Sequence, residues 1–171
     1  MKQLDFTDIG PAQTADREAR HDAFWGPLDG TRRAAASVAC DFFSFAEEVN
    51  YQMAQHVRLA KSDAEKSADA FIRSQMYSRV ALEKFRLFGR LTGCRDDAET
   101  TGRLDRLVAY SRKTGWRIHP EWWTKVPGKN TAYFINKFKI NAGQYTQYLA
   151  MCRKAAEEKE KAKGKKKGGE K

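Results

Sequence analysis

From residue 31 to residue 60 the chain contains neither proline nor glycine. Within that stretch Val38, Phe42, Phe45, Ala46, Val49, Met53, Val57 and Ala60 recur at spacings of three and four. Successive helical residues turn by about 100°, so these side chains share one stripe. Asp41, Ser44, Glu48, Gln52 and Gln55 fall on the other side. The pattern predicts a helix of roughly 30 residues, about 45 Å long, with Thr31 as its N-cap.

A second long helix follows almost at once. "SDAE" at residues 62–65 places a serine three positions before a glutamate, the capping-box signature. The segment then runs to Gly93, which suits the left-handed position past a helix end. Met76, Tyr77, Val80, Ala81, Phe85, Leu87, Phe88 and Leu91 form its apolar face. Two long helices joined at residues 61–62 predict an antiparallel hairpin, with a less sharp bend as the alternative because the joint holds neither glycine nor proline.

Three further helices complete the reading. "AQTADREARHDAFW" predicts a short first helix, broken by "GPLDG". Residues 97–113 predict a helix capped by Asp96 or Asp97, with Leu104, Leu107 and Val108 facing inward. After residue 130, Phe134, Phe138, Tyr145, Leu149 and Cys152 keep helical phase across Gly143, which marks a weak point in one helix. The fold class is therefore all-α: a bundle of about five helices, two of them long and paired as a hairpin. The closing "KEKAKGKKKGGEK" carries too little apolar surface to fold by itself and predicts a disordered basic tail.

The chain has 171 residues, 41% of them hydrophobic, enough for one core. The expected organisation is an acidic segment at 1–30, a helical bundle domain at 31–152 and a lysine-rich tail at 153–171. No run approaches the roughly 20 apolar residues of a membrane span, and "MKQLDFTDIG" is no apolar leader. Both point to a soluble cytoplasmic protein without a membrane partner. Cys40, Cys94 and Cys152 lie far apart, and His21, His56 and His119 do not cluster with them. Reduced, mostly buried thiols are expected, with no metal site.

The net charge is +10. Residues 1–30 hold three cations against six anions, whereas residues 61–95 hold eight against four and residues 114–152 hold five against one. The tail holds nine against four. Positive charge thus lies inside the fold as well as in the tail, which predicts a polyanionic partner.

Tests for catalysis find little. No GxSxG elbow and no complete phosphate-binding loop is present. "PGKNT" at residues 127–131 lacks the first glycine and reads as a loop-to-helix turn with Asn130 as cap, the alternative being a helix start that presents backbone N–H groups to one phosphate. His56 lies on an apolar stripe, as a core or interface histidine does. His119 and Glu121 flank a proline and make a poor acid–base pair without further carboxylates. No catalytic residue and no cofactor is assigned, and the expectation is a protein that is not an enzyme.

The candidate binding residues are basic and aromatic. Arg79, Arg86 and Arg90 recur at i, i+7 and i+11 on one helix face. Arginine forks two hydrogen bonds to phosphate oxygens. Arg103, Arg106, Tyr110 and Lys113 share a face of the next helix, pairing a planar ring with charge. The connector "GWRIHPEWWTKVPGKN" sets Trp116, Trp122 and Trp123 beside Arg117, Lys125 and Lys129. In an extended stretch Trp122 and Trp123 point to opposite faces, one pinning the loop and one free to stack on a base. These features predict a non-catalytic protein that grips RNA or DNA backbone along a continuous basic track, as a small subunit beside other proteins. The alternative is an interaction or structural module without nucleic-acid contact. A nuclease centred on His119 and Glu121 is the third reading.

Overall fold

The computed structural model describes residues 32–114, 118–125 and 128–167. Four α-helices occupy them: α1 (Arg32–Leu59), α2 (Ala64–Leu91), α3 (Asp97–Thr114) and α4 (Thr131–Lys167). A 3-10 turn, Glu121–Thr124, lies between α3 and α4. The described residues contain no strand, so they form an all-α fold. The expected first helix, the Thr31 cap, Trp116 and Arg117 lie outside the described residues. Four helices, not five, are therefore present among them.

α1 and α2 pack together over most of their length. Lys84 pairs with Asp41 at 2.8 Å, the Ser74 hydroxyl reaches Met53 Sδ at 3.2 Å, and Ser67 Oγ lies 2.9 Å from His56 Nδ1. On α1 the inward line is Ala35, Ala39, Phe42, Ala46, Val49, Met53 and His56; on α2 it is Ser67, Phe71, Ser74, Ser78, Ala81, Phe85, Phe88 and Thr92. Both lines alternate steps of four and three, the 3.5-residue repeat of a coiled-coil seam.

That repeat corrects the expected stripe. A 3.5-residue seam drifts by about 20° per heptad from an ideal 3.6-residue helix. By the end of α1 the drift has carried Val57 out, leaving it 71% exposed. Ala60 is exposed as well, and His56 takes the inward place. On α2, Met76, Tyr77, Val80, Leu87 and Leu91 are only partly buried, while Ser67, Ser74, Gln75 and Ser78 are buried. Small polar side chains let two backbones approach, and each hydroxyl finds a local acceptor: Ser78 Oγ donates to Ser74 O at 2.8 Å and Ser74 Oγ to Phe71 O at 2.6 Å.

Helix ends follow local chemistry. α2 is capped by Asp63, whose carboxylate accepts from the Lys66 N–H at 3.0 Å, and not by Ser62 as the capping box predicts. Asp63 is already in extended backbone geometry at the N-cap position, so its carboxylate takes the N3 donor directly. Gly93 sits past the end of α2 with φ +69°, as the sequence predicts. α3 crosses α2 at Gly89, where a Cβ would lie 2.4 Å from Thr100 Oγ1, so only glycine allows this approach. Asp96 caps α3 by accepting from Glu99 N at 2.8 Å, and Asn130 caps α4 by accepting from Tyr133 N at 3.0 Å.

α4 runs 37 residues without a break at Gly143 and continues to Lys167. The disorder expected from residue 159 is therefore replaced by helix as far as Lys167. Alanine, glutamate and lysine are strong helix formers, and Glu157–Lys161 has the i,i+4 spacing that supports an isolated helix. The proximal half of α4 lies on α2 through polar pairs: Asn141 Nδ2 donates to Ser78 Oγ at 3.0 Å and Gln75 Nε2 to Gln144 Oε1 at 3.0 Å.

The described helices include none long and apolar enough to cross a membrane.

Candidate functional site

The described tryptophans of the connector belong to the core: Trp123 lies in it and Trp122 packs against it. Trp123 is 2% exposed, stacks on Phe134 at 4.3 Å between centroids, and meets Phe42 and Phe43 edge-on at 5.6 and 5.2 Å. Trp122 does not point the opposite way. The backbone there is a 3-10 turn, not an extended strand, and it sets the Trp122 ring 5.5 Å from Trp123 and 5.4 Å from Phe134. Its indole Nε1 is buried without a hydrogen-bond partner among the described residues. Burying two indoles supplies several hundred Å² of apolar contact. Pinning the connector accounts for both described rings.

Lys125 and Lys129, the described cations of the connector, are locally engaged. Lys125 Nζ pairs with Glu121 at 2.9 Å, and Lys129 Nζ stands 4.6 Å from the centre of the Tyr133 ring. The Lys129 ammonium holds the Tyr133 phenol below its ordinary range. His119 Nδ1 lies 3.1 Å from the Pro120 carbonyl, and its ring packs edge-on against Phe43. The two carboxylate and imidazole groups of the proposed acid–base pair thus each have a structural neighbour. Arg112 and Lys129 border a second cleft of about 250 Å³, where Thr131 donates a short hydrogen bond to Asp105.

α2 and α3 carry the remaining candidates. Arg79, Arg86 and Arg90 are all exposed. Arg79 Nε lies 3.5 Å from Glu83, a screened surface pair. Arg86 and Arg90 have no anionic partner among the described residues. Together with Arg95 they line an open cleft of about 210 Å³ between the end of α2 and the start of α3. Asp96 and Asp97 line the cleft and Glu99 lies beside Arg95, and each has a hydrogen-bond or ion-pair partner. Asp96 caps α3, Asp97 pairs with Lys139 at 2.7 Å, and Glu99 receives Arg95 Nε at 2.8 Å. The Arg95 hydrogen bond holds the Glu99 carboxyl below its usual range. Arg86 and Arg90 form no ion pair among the described residues, and Asp96 is the one acid lining their cleft that no cation pairs.

On α3, Arg106 and Lys113 are exposed, while Arg103 and Tyr110 are partly buried. Arg103 Nε is itself buried and unpartnered among the described residues, which removes one donor from any surface contact. The α2 line does not form a continuous positive track. Past Arg79 it returns through Met76 and Ile72 to Asp69 and Glu65, so its charge is confined to the C-terminal half.

The described residues contain no group of three or more histidine, cysteine or acidic side chains able to hold a metal. All three cysteines are free, and Cys40 and Cys152 are exposed where burial was expected. His56 is the interface histidine that its position predicts. Ser67 Oγ donates to the His56 carbonyl at 3.0 Å, so Nδ1 carries the proton that reaches the Ser67 carbonyl at 3.0 Å.

Comparison with protein-family models, curated proteins and solved structures returned no match.

Proposed function

We propose that the protein binds the phosphate backbone of a nucleic acid without reading its sequence, as a non-catalytic subunit of a larger assembly. The supporting observation is the cleft at the α2–α3 junction. Arg86 and Arg90 face solvent there without an ion pair to any described acid, while Asp97 and Glu99 are paired with Lys139 and Arg95. Unpaired guanidinium groups on a rigid helix suit phosphate oxygens, and neutralising each phosphate releases counterions. The α1–α2 pair acts in this reading as a long antiparallel hairpin that holds the arginines rigid. Arg106 and Lys113 extend the basic surface along α3.

Fluorescence anisotropy with a labelled nucleic acid, titrated with salt, tests the proposal. Replacing Arg86 and Arg90 together by glutamine should weaken binding about tenfold and flatten the salt slope by about two units. Binding that ignores salt, or no binding by the unaltered protein, would overturn it.

A second reading has its own observation. Tyr133, Ile140, Tyr148 and Met151 project from one side of α4, with Ile140 64% and Met151 71% exposed. Such a stripe fits a protein partner. Light scattering separates the two: a stable oligomer indifferent to nucleic acid favours the interaction module.

A further inference from the structure

α4 outruns the bundle. Gln144 lies against Gln75 and Asn141 against Ser78. Continued at that register, α4 passes the first residue of α2 near Ala155. Every residue from 150 to 163 is exposed, yet helix persists to Lys167. Residues 153–167 hold eight lysines and arginines against three glutamates. Their arrangement is uneven. Glu157 and Glu158 lie beside Lys154 and Lys161 on one side at spacings of three and four, whereas Lys159 has no acid at either spacing and Lys163 has one, Glu160, three residues before it. One side of this arm is self-neutralised and the other is cationic. The arm also lacks the apolar face that a membrane-surface helix requires.

The arm and the Arg86–Arg90 cleft stand at opposite ends of the body. At 1.5 Å per residue the helical rise between them is about 40 Å. The intervening outer line of α2 bears Asp69 and Glu65, so the two positive regions are separate sites.

We infer that the ligand is a double-stranded nucleic acid that bridges both ends of the protein, held by Arg86 and Arg90 at one end and by Lys159 and Lys163 at the other. This rests on the nucleic-acid reading above and adds the form and minimum length of the ligand. A duplex rises 3.4 Å per base pair, so a span of about 40 Å needs about 12 base pairs. It stays straight over that length, whereas a single strand must be ordered to bridge the sites. Single strands are commonly gripped by stacking on exposed aromatics. The described connector tryptophans are committed to Trp123–Phe134 packing, and the exposed rings of Tyr133 and Tyr148 already pack on Phe134 and Tyr145. Two linked sites on a rigid ligand bind more tightly than either alone.

The test measures the affinity of the full chain for duplexes of about 6 and about 18 base pairs, single strands of the same lengths and poly-glutamate. The expected result is binding more than about tenfold tighter to the longer duplex, beyond the few-fold gained from extra registers. Lys159→Gln with Lys163→Gln should erase most of that gain while changing short-duplex affinity about twofold. These positions are exposed, so the fold is retained, as circular dichroism will verify. Equal affinity for both duplex lengths, an unchanged gain in the lysine variant, or equal affinity for single strands overturns the bridging inference alone. Preference for poly-glutamate also overturns it and points to an acidic protein. Failure of every nucleic acid to bind overturns the underlying functional reading as well.

Discussion

The α1–α2 seam and the distal half of α4 are both helical, for opposite reasons. In the seam, Phe42, Phe85 and Phe88 are each about 1% exposed and the line between them is filled by alanine and serine. Tertiary packing holds those helices, and their sequence can spend positions on weak helix formers such as serine. In α4 beyond residue 150 no residue is buried among those whose side chains are described. That segment depends on intrinsic propensity, on i,i+4 pairs, and on being a continuation of a helix already nucleated by the bundle. Packing supplies energy per buried area, whereas propensity supplies only tenths of a kcal/mol per residue. A defect in the first region should therefore be felt globally, and a defect in the second only locally.

Phe42→Ala is the largest way to break the seam. Phe42 touches Phe43, Phe85, Trp123 and Phe138, and its loss should cost about 3–5 kcal/mol in a denaturant melt. Next comes Gly89→Ala, which drives a Cβ into Thr100. The expected loss is about 1–3 kcal/mol, and Thr100→Ala in the same chain should recover part of it by removing the Oγ1 and Cγ2 contacts. Recovery without Thr100→Ala, meaning no loss at all, would show that α3 is free to shift. The smallest effect is expected at the arm. Ala155→Gly should lower local helix stability by about 1 kcal/mol, seen as reduced helical ellipticity and faster amide exchange beyond residue 150, with an unchanged global midpoint. A shifted midpoint would mean that the arm packs on the bundle after all.

Much of the fold was legible because helix formation leaves a local trace. The limits of α1, α2 and α3 fall within two residues of those read from periodicity and breakers. Asp96, Asn130 and Gly93 were legible as end signals because a cap acts on its own neighbours. The serine-rich interior of α2 was not, because nothing in Ser67, Ser74 or Ser78 marks them as buried until α1 and α4 are laid against them. Val57 misled for a related reason: a few degrees per turn separate a 3.5 from a 3.6 repeat, and only the partner helix chooses between them. For the candidate site, the types and spacing of Arg79, Arg86 and Arg90 were legible, but their different fates were not. Glu83 engages Arg79 through a local i,i+4 pair. Near Arg86 and Arg90, Asp97 and Glu99 are engaged by Lys139 and Arg95, one of them from a distant helix.

By itself the sequence determined an all-α fold class, the limits of α1, α2 and α3 to within two residues and an excess of positive charge, because hydrogen-bonding caps, propensities and formal charges act over a few residues. Tertiary structure alone decided that the described connector tryptophans are core, that α1 and α2 meet along a small-residue seam, and that two arginines stay unpaired while their neighbours do not. Burial and ion pairing depend on which distant groups share a space, and that is set only when the helices pack.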